Sequence, residues 1–203
     1  MNAEAVAFDP ATMPAAEVFG LLTATVTPRP IAWTSTVGRD GVLNLAPFSF
    51  YTVVSNTPPM LSLTIEDGPN GRVKDTLVNI RDSGEFVVNS VSVDVADRMH
   101  RTSLEHAADT DEFEIAGLTP VPSTRVRPPR VAESAIGMEC RLRQLLRPGS
   151  DTVVIGEVVA VHVAPDLLRA PGRIDLGGLR PLGRVASRFT DVRATFALPL
   201  TAP

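Results

Sequence analysis

Polar side chains that could hold a phosphorylated ligand are concentrated in one stretch of the chain, and a lysine follows closely. The polar residues are Thr34, Ser35, Thr36, Asn44 and Ser49. Lys74 is the only lysine among 19 basic residues. Hydroxyls and amides can donate and accept hydrogen bonds, and an ammonium group is a compact charge suited to a phosphate. These residue types predict a binding site for a phosphorylated, planar, amphipathic ligand, built without a glycine-rich phosphate loop.

A run of small and aromatic residues adds a surface that suits a flat ring. It comprises Ala46, Pro47, Phe48, Ser49 and Phe50. Small residues let a ring approach the backbone, and aromatic side chains form pocket walls. Structural interpretations remain open for each feature: threonine favours strands, a lysine can sit on the surface at a helix start, and this run can be a core strand with an edge proline.

A short helix is predicted around the lysine. Its apolar stripe consists of Val73, Leu77 and Ile80, and Gly84 stands where the helix would stop. The residues at its N-terminus are Lys74, Asp75 and Thr76. A helix start offers free N–H groups and the positive end of the helix dipole, so this is a favourable place for an anion.

Extended segments dominate the rest of the chain. We expect a helical turn at 14–20, a strand over 21–37 broken by two prolines, a strand from 42, and strands at 59–66, 85–93, 136–147 and 153–163. Residues 94–117 are predicted to be helical in pieces, 118–132 an extended proline-rich connector, and 165–183 a loop. Gly156 predicts a bulge or a close backbone approach. Six or seven strands without a βαβ rhythm predict a mainly β fold, an antiparallel barrel with a few short helices.

Composition narrows the class of protein. The formal net charge of −4 over 203 residues argues against nucleic acid as a partner. The single cysteine, Cys140, excludes an intrachain disulfide, and without a secretory signature we expect a cytoplasmic protein. No run approaches the ~18 apolar residues needed to span a membrane. Hydrolase, nucleoside-triphosphatase and metal-site motifs are not found in the sequence.

Longer stretches match a known family in order along the chain. They are Pro28–Thr36, Asn44–Phe50, Pro58–Met60, Lys74–Ile80, Gly84–Asn89, Pro128–Ser134 and Ile155–Val159. Together they resemble the flavin reductase-like, FMN-binding split-barrel family over roughly residues 20–165. The resemblance implies a Greek-key split β-barrel, a homodimer, and FMN bound near the subunit interface.

The resemblance also assigns roles to residues. It implies that the phosphate and ribityl chain contact Thr34, Ser35, Thr36, Lys74 and Thr76. It implies that the isoalloxazine ring is lined by Asn44, Ala46, Pro47, Phe48, Ser49 and Phe50. Trp33 and Asp75 are expected to complete the cofactor site. No catalytic side chain is expected, because the redox chemistry belongs to the flavin.

The expected activity is hydride transfer from NAD(P)H to flavin, with electrons passed onward, and a monooxygenase component that receives reduced flavin is a further expected partner. One departure from the family concerns Asp151. Nicotinamide-using members resemble Gly-Asp-His before the next strand, and Asp151 stands where that histidine would be. Two alternatives therefore stay open: an FMN-dependent oxygenase acting on a small organic substrate, and a non-catalytic FMN-binding electron carrier.

Three segments are predicted along the chain. Residues 1–20 form an N-terminal arm, 21–165 the flavin reductase-like domain, and 166–203 a C-terminal extension that packs on the barrel or on the dimer partner. In the extension, Arg180, Arg184 and Arg188 are candidates for a second-ligand or interface role.

Overall fold

The computed structural model describes residues 5–68 and 71–198. The strands are β1 (Ala32–Val37), β2 (Leu43–Phe48), β3 (Tyr51–Asn56), β4 (Pro59–Ile65), β5 (Glu85–Asn89), β6 (Pro120–Val121), β7 (Arg130–Val131), β8 (Ile136–Leu146), β9 (Thr152–Val163), β10 (Leu168–Ala170), β11 (Arg173–Ile174), β12 (Leu182–Val185) and β13 (Arg188–Asp191). The helices are α1 (Ala15–Thr25), α2 (Asp75–Ser83), α3 (Ala96–Arg101), α4 (Glu112–Ala116) and α5 (Leu176–Leu179). Residues 1–4 of the predicted arm and 199–203 of the predicted extension lie outside the described residues, and the division into three segments stays a prediction.

One antiparallel sheet of seven strands organises the molecule. Its spatial order is β2-β1-β5-β8-β9-β4-β3, so the β1–β2 hairpin and the β3–β4 hairpin occupy opposite edges. The described residues also form three separate two-stranded ribbons: β6–β7, β10–β11 and β12–β13. The predicted mainly β, Greek-key split β-barrel is confirmed. No helix within the described residues is long and apolar enough to cross a bilayer.

The strands β1 and β5 separate two hydrophobic cores, because successive side chains of a strand point to opposite faces. One core packs Trp33 and Leu45 against Met99 of α3 and Phe113 of α4. The other core includes Phe48, Leu63, Leu77, Ile80, Phe86 and Cys140. Cys140 is a free, fully buried thiol, and burial together with the Glu139 carboxylate raises its pKa.

A glycine in β9 allows an aromatic ring to close the second core. A methyl group at Gly156 would overlap the Phe86 ring, and the register of β8 and β9 shifts between Leu142 and Gln144, opposite this glycine. A bulge is therefore present beside Gly156, but its extra residue, Arg143, lies in β8 rather than in β9. The group that approaches Gly156 closely is a side chain rather than a second backbone.

The predicted strand over residues 21–37 is wrong in its first part. Helix α1 continues to Thr25, and the strand begins only at Ala32. The helix accommodates Thr23 and Thr25 because their hydroxyls donate to the backbone carbonyls of Phe19 (2.9 Å) and Leu21 (3.0 Å), one turn earlier. The predicted helical turn at 14–20 is thus the first part of an 11-residue helix.

Helix α2 confirms the helix predicted around Lys74, and it ends at Gly84 in the left-handed conformation (φ 71°). The helical pieces in 94–117 are also confirmed by α3 and α4. The loop expected at 165–183 is instead folded into the β10–β11 ribbon, α5 and the first strand of the β12–β13 ribbon. The short strands there carry too few residues to show a hydrophobic period, which explains the error.

A buried carboxylate fastens the proline-rich connector to the sheet. Glu139 of β8 accepts hydrogen bonds from the backbone N–H groups of Thr124 (2.7 Å) and Arg125 (2.5 Å), and from the Thr124 hydroxyl (3.0 Å). His162 Nε2 lies 2.6 Å from the same carboxylate. Burial acts to raise the pKa of Glu139, but these hydrogen bonds outweigh burial and hold the pKa below its ordinary value.

Candidate functional site

Strand β2 and the start of helix α2 form the walls of a small cavity of about 80 Å³, here called the helix cavity. Its predicted residues are Asn44, Ala46, Pro47, Phe48, Lys74, Asp75 and Thr76. The opposite wall is the segment 102–106 after α3, together with Glu112. Residues predicted from two separate stretches of sequence therefore meet in one place.

A larger cavity of about 620 Å³, here called the arginine cavity, adjoins the first and shares Pro47, Phe48, Lys74 and Ser103 with it. It adds Ser49 and Phe50 from the predicted set. Residues from α1, Thr64, Glu66, Arg29, Arg184, Ala186 and Ser187 complete its lining. This volume lies within the range that small-molecule sites occupy.

The four predicted residues of β1 do not line either cavity. Trp33, Thr34, Ser35 and Thr36 are fully buried. Trp33 Nε1 donates to the hydroxyl of Thr102 (2.9 Å), which itself lines the helix cavity. The Ser35 hydroxyl donates to the Pro129 carbonyl and the Thr34 hydroxyl to the Ala32 carbonyl (3.3 Å). These side chains stand behind the cavity wall and connect it to the rest of the fold.

A buried hydrogen-bond network fixes the amide of Asn44. Its Oδ1 accepts from the hydroxyls of Thr36 (3.1 Å) and Thr76 (2.8 Å), and its Nδ2 donates to Glu112 (3.2 Å). Glu112 also accepts from the backbone N–H of Leu45 (3.1 Å). Burial raises the pKa of Glu112, and these hydrogen bonds offset the rise only in part. One Nδ2 hydrogen of Asn44 has no acceptor among the described residues, and Asn44 is part of the helix cavity lining.

The start of helix α2 has unused donors. The backbone N–H groups of Asp75 and Thr76 bond to no acceptor within residues 5–68 and 71–198. Lys74 occupies the N-cap position, and its Nζ lies 3.7 Å from Glu105 in a partly exposed pair. Free N–H groups, the helix dipole and an ammonium group together provide the donors that a phosphate needs.

Two arginines line the arginine cavity together, and the sequence did not predict that they belong to the same site. Arg29 precedes β1 and is buried, whereas Arg184 lies in β12 and is half-buried. The sequence indicates Arg184 only as one of three candidates for a second-ligand or interface role. It includes Arg29 only as part of the Pro28–Thr36 stretch that resembles the family. The other two candidates differ: Arg180 pairs with Asp94, and Arg188 is exposed on β13.

Asp151 acts on the cavity through a neighbour. It is half-buried in the turn between β8 and β9, where its Oδ1 accepts from the Ser150 hydroxyl (2.8 Å), and it does not itself line the arginine cavity. Desolvation, and next the Asp151 carboxylate, raise the pKa of Glu66, while Lys74 opposes the shift. Glu66 does line the arginine cavity. The Asp151 carboxylate therefore influences the arginine cavity only through Glu66.

The chemistry of this site follows from its donors and its shape. It combines the free N–H groups and the ammonium group at the start of α2 with the side chains of β2 and two arginines. Among the described residues, no group of three or more histidine, cysteine or acidic side chains could hold a metal ion. Such a combination of groups can accommodate an anionic, ring-containing molecule.

The chain is similar in sequence and in fold to known proteins. Residues 24–189 match the model of the flavin reductase like domain. An uncharacterized protein of Aquifex aeolicus is 37% identical over 172 residues, 85% of this chain and 88% of that protein. Nitrilotriacetate monooxygenase component B from Bacillus cereus superposes with a TM-score of 0.93 and 32% identity, over 97% of this chain and 100% of that one. The 2-nitrobenzoate 2-nitroreductase NbaA of Pseudomonas fluorescens gives a TM-score of 0.87 and 27% identity, over 98% of each chain. The chain therefore belongs to the flavin reductase like domain family.

Proposed function

We propose that the chain is an FMN-binding oxidoreductase that transfers hydride from NAD(P)H to flavin. The observation that carries the proposal is the junction of the two cavities. There the only lysine and the free N–H groups of α2 lie beside a cavity wide enough for a ring system. Family membership supports flavin as the ligand.

The residues present fit FMN at both of its ends. Lys74 and the N-terminus of α2 would hold the phosphate, since a phosphomonoester carries close to −2 at neutral pH. Residues 46–50 of β2 and the following turn would line the isoalloxazine ring. Asn44, held by Thr36, Thr76 and Glu112, would offer its remaining N–H to the ligand. The buried side chains of Trp33 to Thr36 would support these walls from behind.

When bound, FMN supplies the hydride acceptor. The chain's own residues would bind FMN, orient it and shield its ring from water. The Asn44 network keeps its amide in one orientation, because each of its partners is itself buried or bonded. The side chains of Phe48 and Phe50 restrict access of water to the ring side of the cavity. No acid or base of the chain is required for hydride transfer.

Absorbance spectroscopy of the purified protein tests flavin binding, and dialysis tests its tightness. Flavin bands that survive dialysis are expected for a bound cofactor, and bands that are lost for a diffusing substrate. Consumption of NADH or NADPH in the presence of FMN then tests the reductase activity. A protein that fails to bind FMN at micromolar concentration would contradict the proposal.

A second function, non-catalytic electron carriage by bound FMN, is favoured by one observation. The Glu66 carboxylate lines the arginine cavity, and Asp151 lies close enough to raise the pKa of Glu66, so the two charges would oppose the phosphates of a dinucleotide bound there. A carrier would retain FMN yet fail to consume NADH or NADPH. The same two measurements therefore separate a reductase from a carrier.

We also propose a homodimer, and a separate oxygenase as recipient of reduced flavin. Helix α1 exposes Phe19 and Leu22, Val26 is exposed directly after it, and the edge strand β3 exposes Val53 and Val54. Exposed apolar patches of this kind support a partner surface. The similarity to nitrilotriacetate monooxygenase component B supports the oxygenase. Light scattering that shows a stable monomer still holding FMN at micromolar concentration would refute the dimer.

A further inference from the structure

Arg29 and Arg184 face each other across an isolated antiparallel pair. The N–H of Arg29 donates to the carbonyl of Arg184 (2.9 Å), and the N–H of Arg184 donates back (2.8 Å). Residues directly opposite in such a pair have Cβ atoms ~4.5–5.5 Å apart on the same face, and like charges in these positions are destabilising. The pKa of Arg29 is lowered, first by burial and next by the Arg184 charge. The fold therefore brings two cations together against their repulsion.

No carboxylate compensates either arginine among residues 5–68 and 71–198. Arg29 is only 6% exposed. Its Nε donates to the Ser49 hydroxyl (3.3 Å) and its Nη1 to the carbonyls of Thr23 and Val26, and Nη2 has no acceptor within those residues. The Arg184 guanidinium lies 4.4 Å from the centre of the Phe189 ring. Buried cations are normally paired, so this arrangement lacks an expected counter-charge.

Both arginines line the arginine cavity. Of the described residues around that cavity, Glu66 is the one carboxylate, and its charge is coupled to Lys74 and Asp151 instead. The Arg29 guanidinium also lies 5.7 Å from the centre of the Phe50 ring, which belongs to the same cavity lining. A guanidinium offers a planar fork of donors that matches carboxylate or phosphate oxygens.

We propose that Arg29 and Arg184 bind the oxyanion, carboxylate or phosphate, of a second ligand that shares the arginine cavity with FMN. This inference rests on the proposed function, because it assigns Lys74 to the FMN phosphate and leaves the arginine pair for the other molecule. Two sources carry this chemistry: the diphosphate of a nicotinamide dinucleotide, and the carboxylate of an aromatic acid.

The test uses Arg184→Gln, with Arg188→Gln as the matched control. Arg184 is half-buried and its side chain makes no hydrogen bond among the described residues, whereas Arg29 also holds the carbonyls at the end of α1 and is a poorer target. Arg188 lies on the same ribbon, is exposed and does not line the cavity. Calorimetry measures the affinity of the protein for two pairs of probes: adenosine diphosphate ribose and adenosine, and benzoate and benzamide. Within each pair the members differ in charge, so the comparison isolates the contribution of the anionic group. The two pairs represent the two sources of the oxyanion, the dinucleotide and the aromatic acid.

Wild type and Arg188→Gln are expected to prefer the charged member of one pair, and Arg184→Gln to bind that member about tenfold or more weakly, the effect of one charge-assisted hydrogen bond. The preferred pair identifies the source. No charge preference in either pair, or an equal loss in Arg188→Gln, would overturn the proposal. A selective loss of FMN binding in Arg184→Gln would also overturn it, by placing the flavin phosphate there. The titrations use flavin-free protein, so their outcome does not depend on FMN binding. A wild-type protein that binds a charged probe but does not bind FMN would refute the proposed function and leave this inference standing.

Discussion

Replacing Lys74 with alanine should weaken FMN binding and leave riboflavin binding almost unchanged. A hydrogen bond to a charged group contributes ~1.5–3 kcal/mol. The Lys74 side chain is 37% exposed and already lies 3.7 Å from Glu105, so solvent and this existing pair reduce its net contribution. Subtracting about 1 kcal/mol for an exposed ion pair leaves about 0.5–2 kcal/mol, or roughly 2- to 30-fold in the dissociation constant.

Fluorescence titration of both flavins against both proteins measures the difference. Arg81→Ala is the matched control, because Arg81 lies in the last turn of α2, is exposed, and lines neither cavity. An equal loss for FMN and riboflavin would show that Lys74 does not contact the phosphate. An equal loss of FMN binding in Arg81→Ala would show that long-range charge, rather than contact, explains the effect.

Three further changes test other parts of the structure. Asp151→His should lower the KM for NADH or NADPH in assays saturated with FMN, because imidazole can donate a hydrogen bond and an ionised carboxylate cannot. Gly156→Ala should lower the free energy of unfolding by about 1–3 kcal/mol in denaturant titrations, because its methyl group would overlap the Phe86 ring. Glu139→Gln should reduce the loss of stability in acid: with its folded pKa depressed, Glu139 stabilises the fold fully above its unfolded pKa, and this contribution is lost as pH falls through the folded pKa.

Each of these changes has a contrary outcome. An unchanged KM for both nucleotides would assign Asp151 to turn formation alone. Gly149→Ala is the control for Gly156, since an added Cβ there meets no atom within 4 Å, and equal destabilisation of the two variants would exclude a role for the ring contact. Thermal melts from neutral to acidic pH decide the third case. A Glu139→Gln protein that loses stability in acid as steeply as wild type would mean that other carboxylates dominate.

Local chemistry made the β2 and α2 parts of the site predictable. The stripe around Leu77, the stop at Gly84 and the small-and-aromatic run at 46–50 each depend on neighbours within a few residues. The structure brings these two stretches together around two adjoining cavities, which periodicity alone cannot show.

Long-range contacts account for what the sequence did not reveal. The hydroxyl triplet at Thr34–Thr36 has the residue types of a ligand site, yet the Ser35 hydroxyl donates to Pro129, far along the chain. The start of β1 was misplaced because Arg29 holds the carbonyls of Thr23 and Val26 and so stabilises the end of α1. The pairing of Arg29 with Arg184 likewise joins opposite ends of the sequence. Neither the Ser35–Pro129 bond nor the Arg29–Arg184 pair leaves a local pattern.

Because Cys140 is buried, the folded protein should be almost unreactive towards thiol reagents. The thiolate is the reactive form, and a raised pKa within a closed core leaves very little of it. Alkylation would therefore report the opening of the barrel core through one known atom, without any engineered probe. Because Cys140 does not react in the folded state, a cysteine introduced at an exposed position could carry a dye as the single labelled site. Distances and motions around the proposed flavin site would then become measurable in the otherwise native chain.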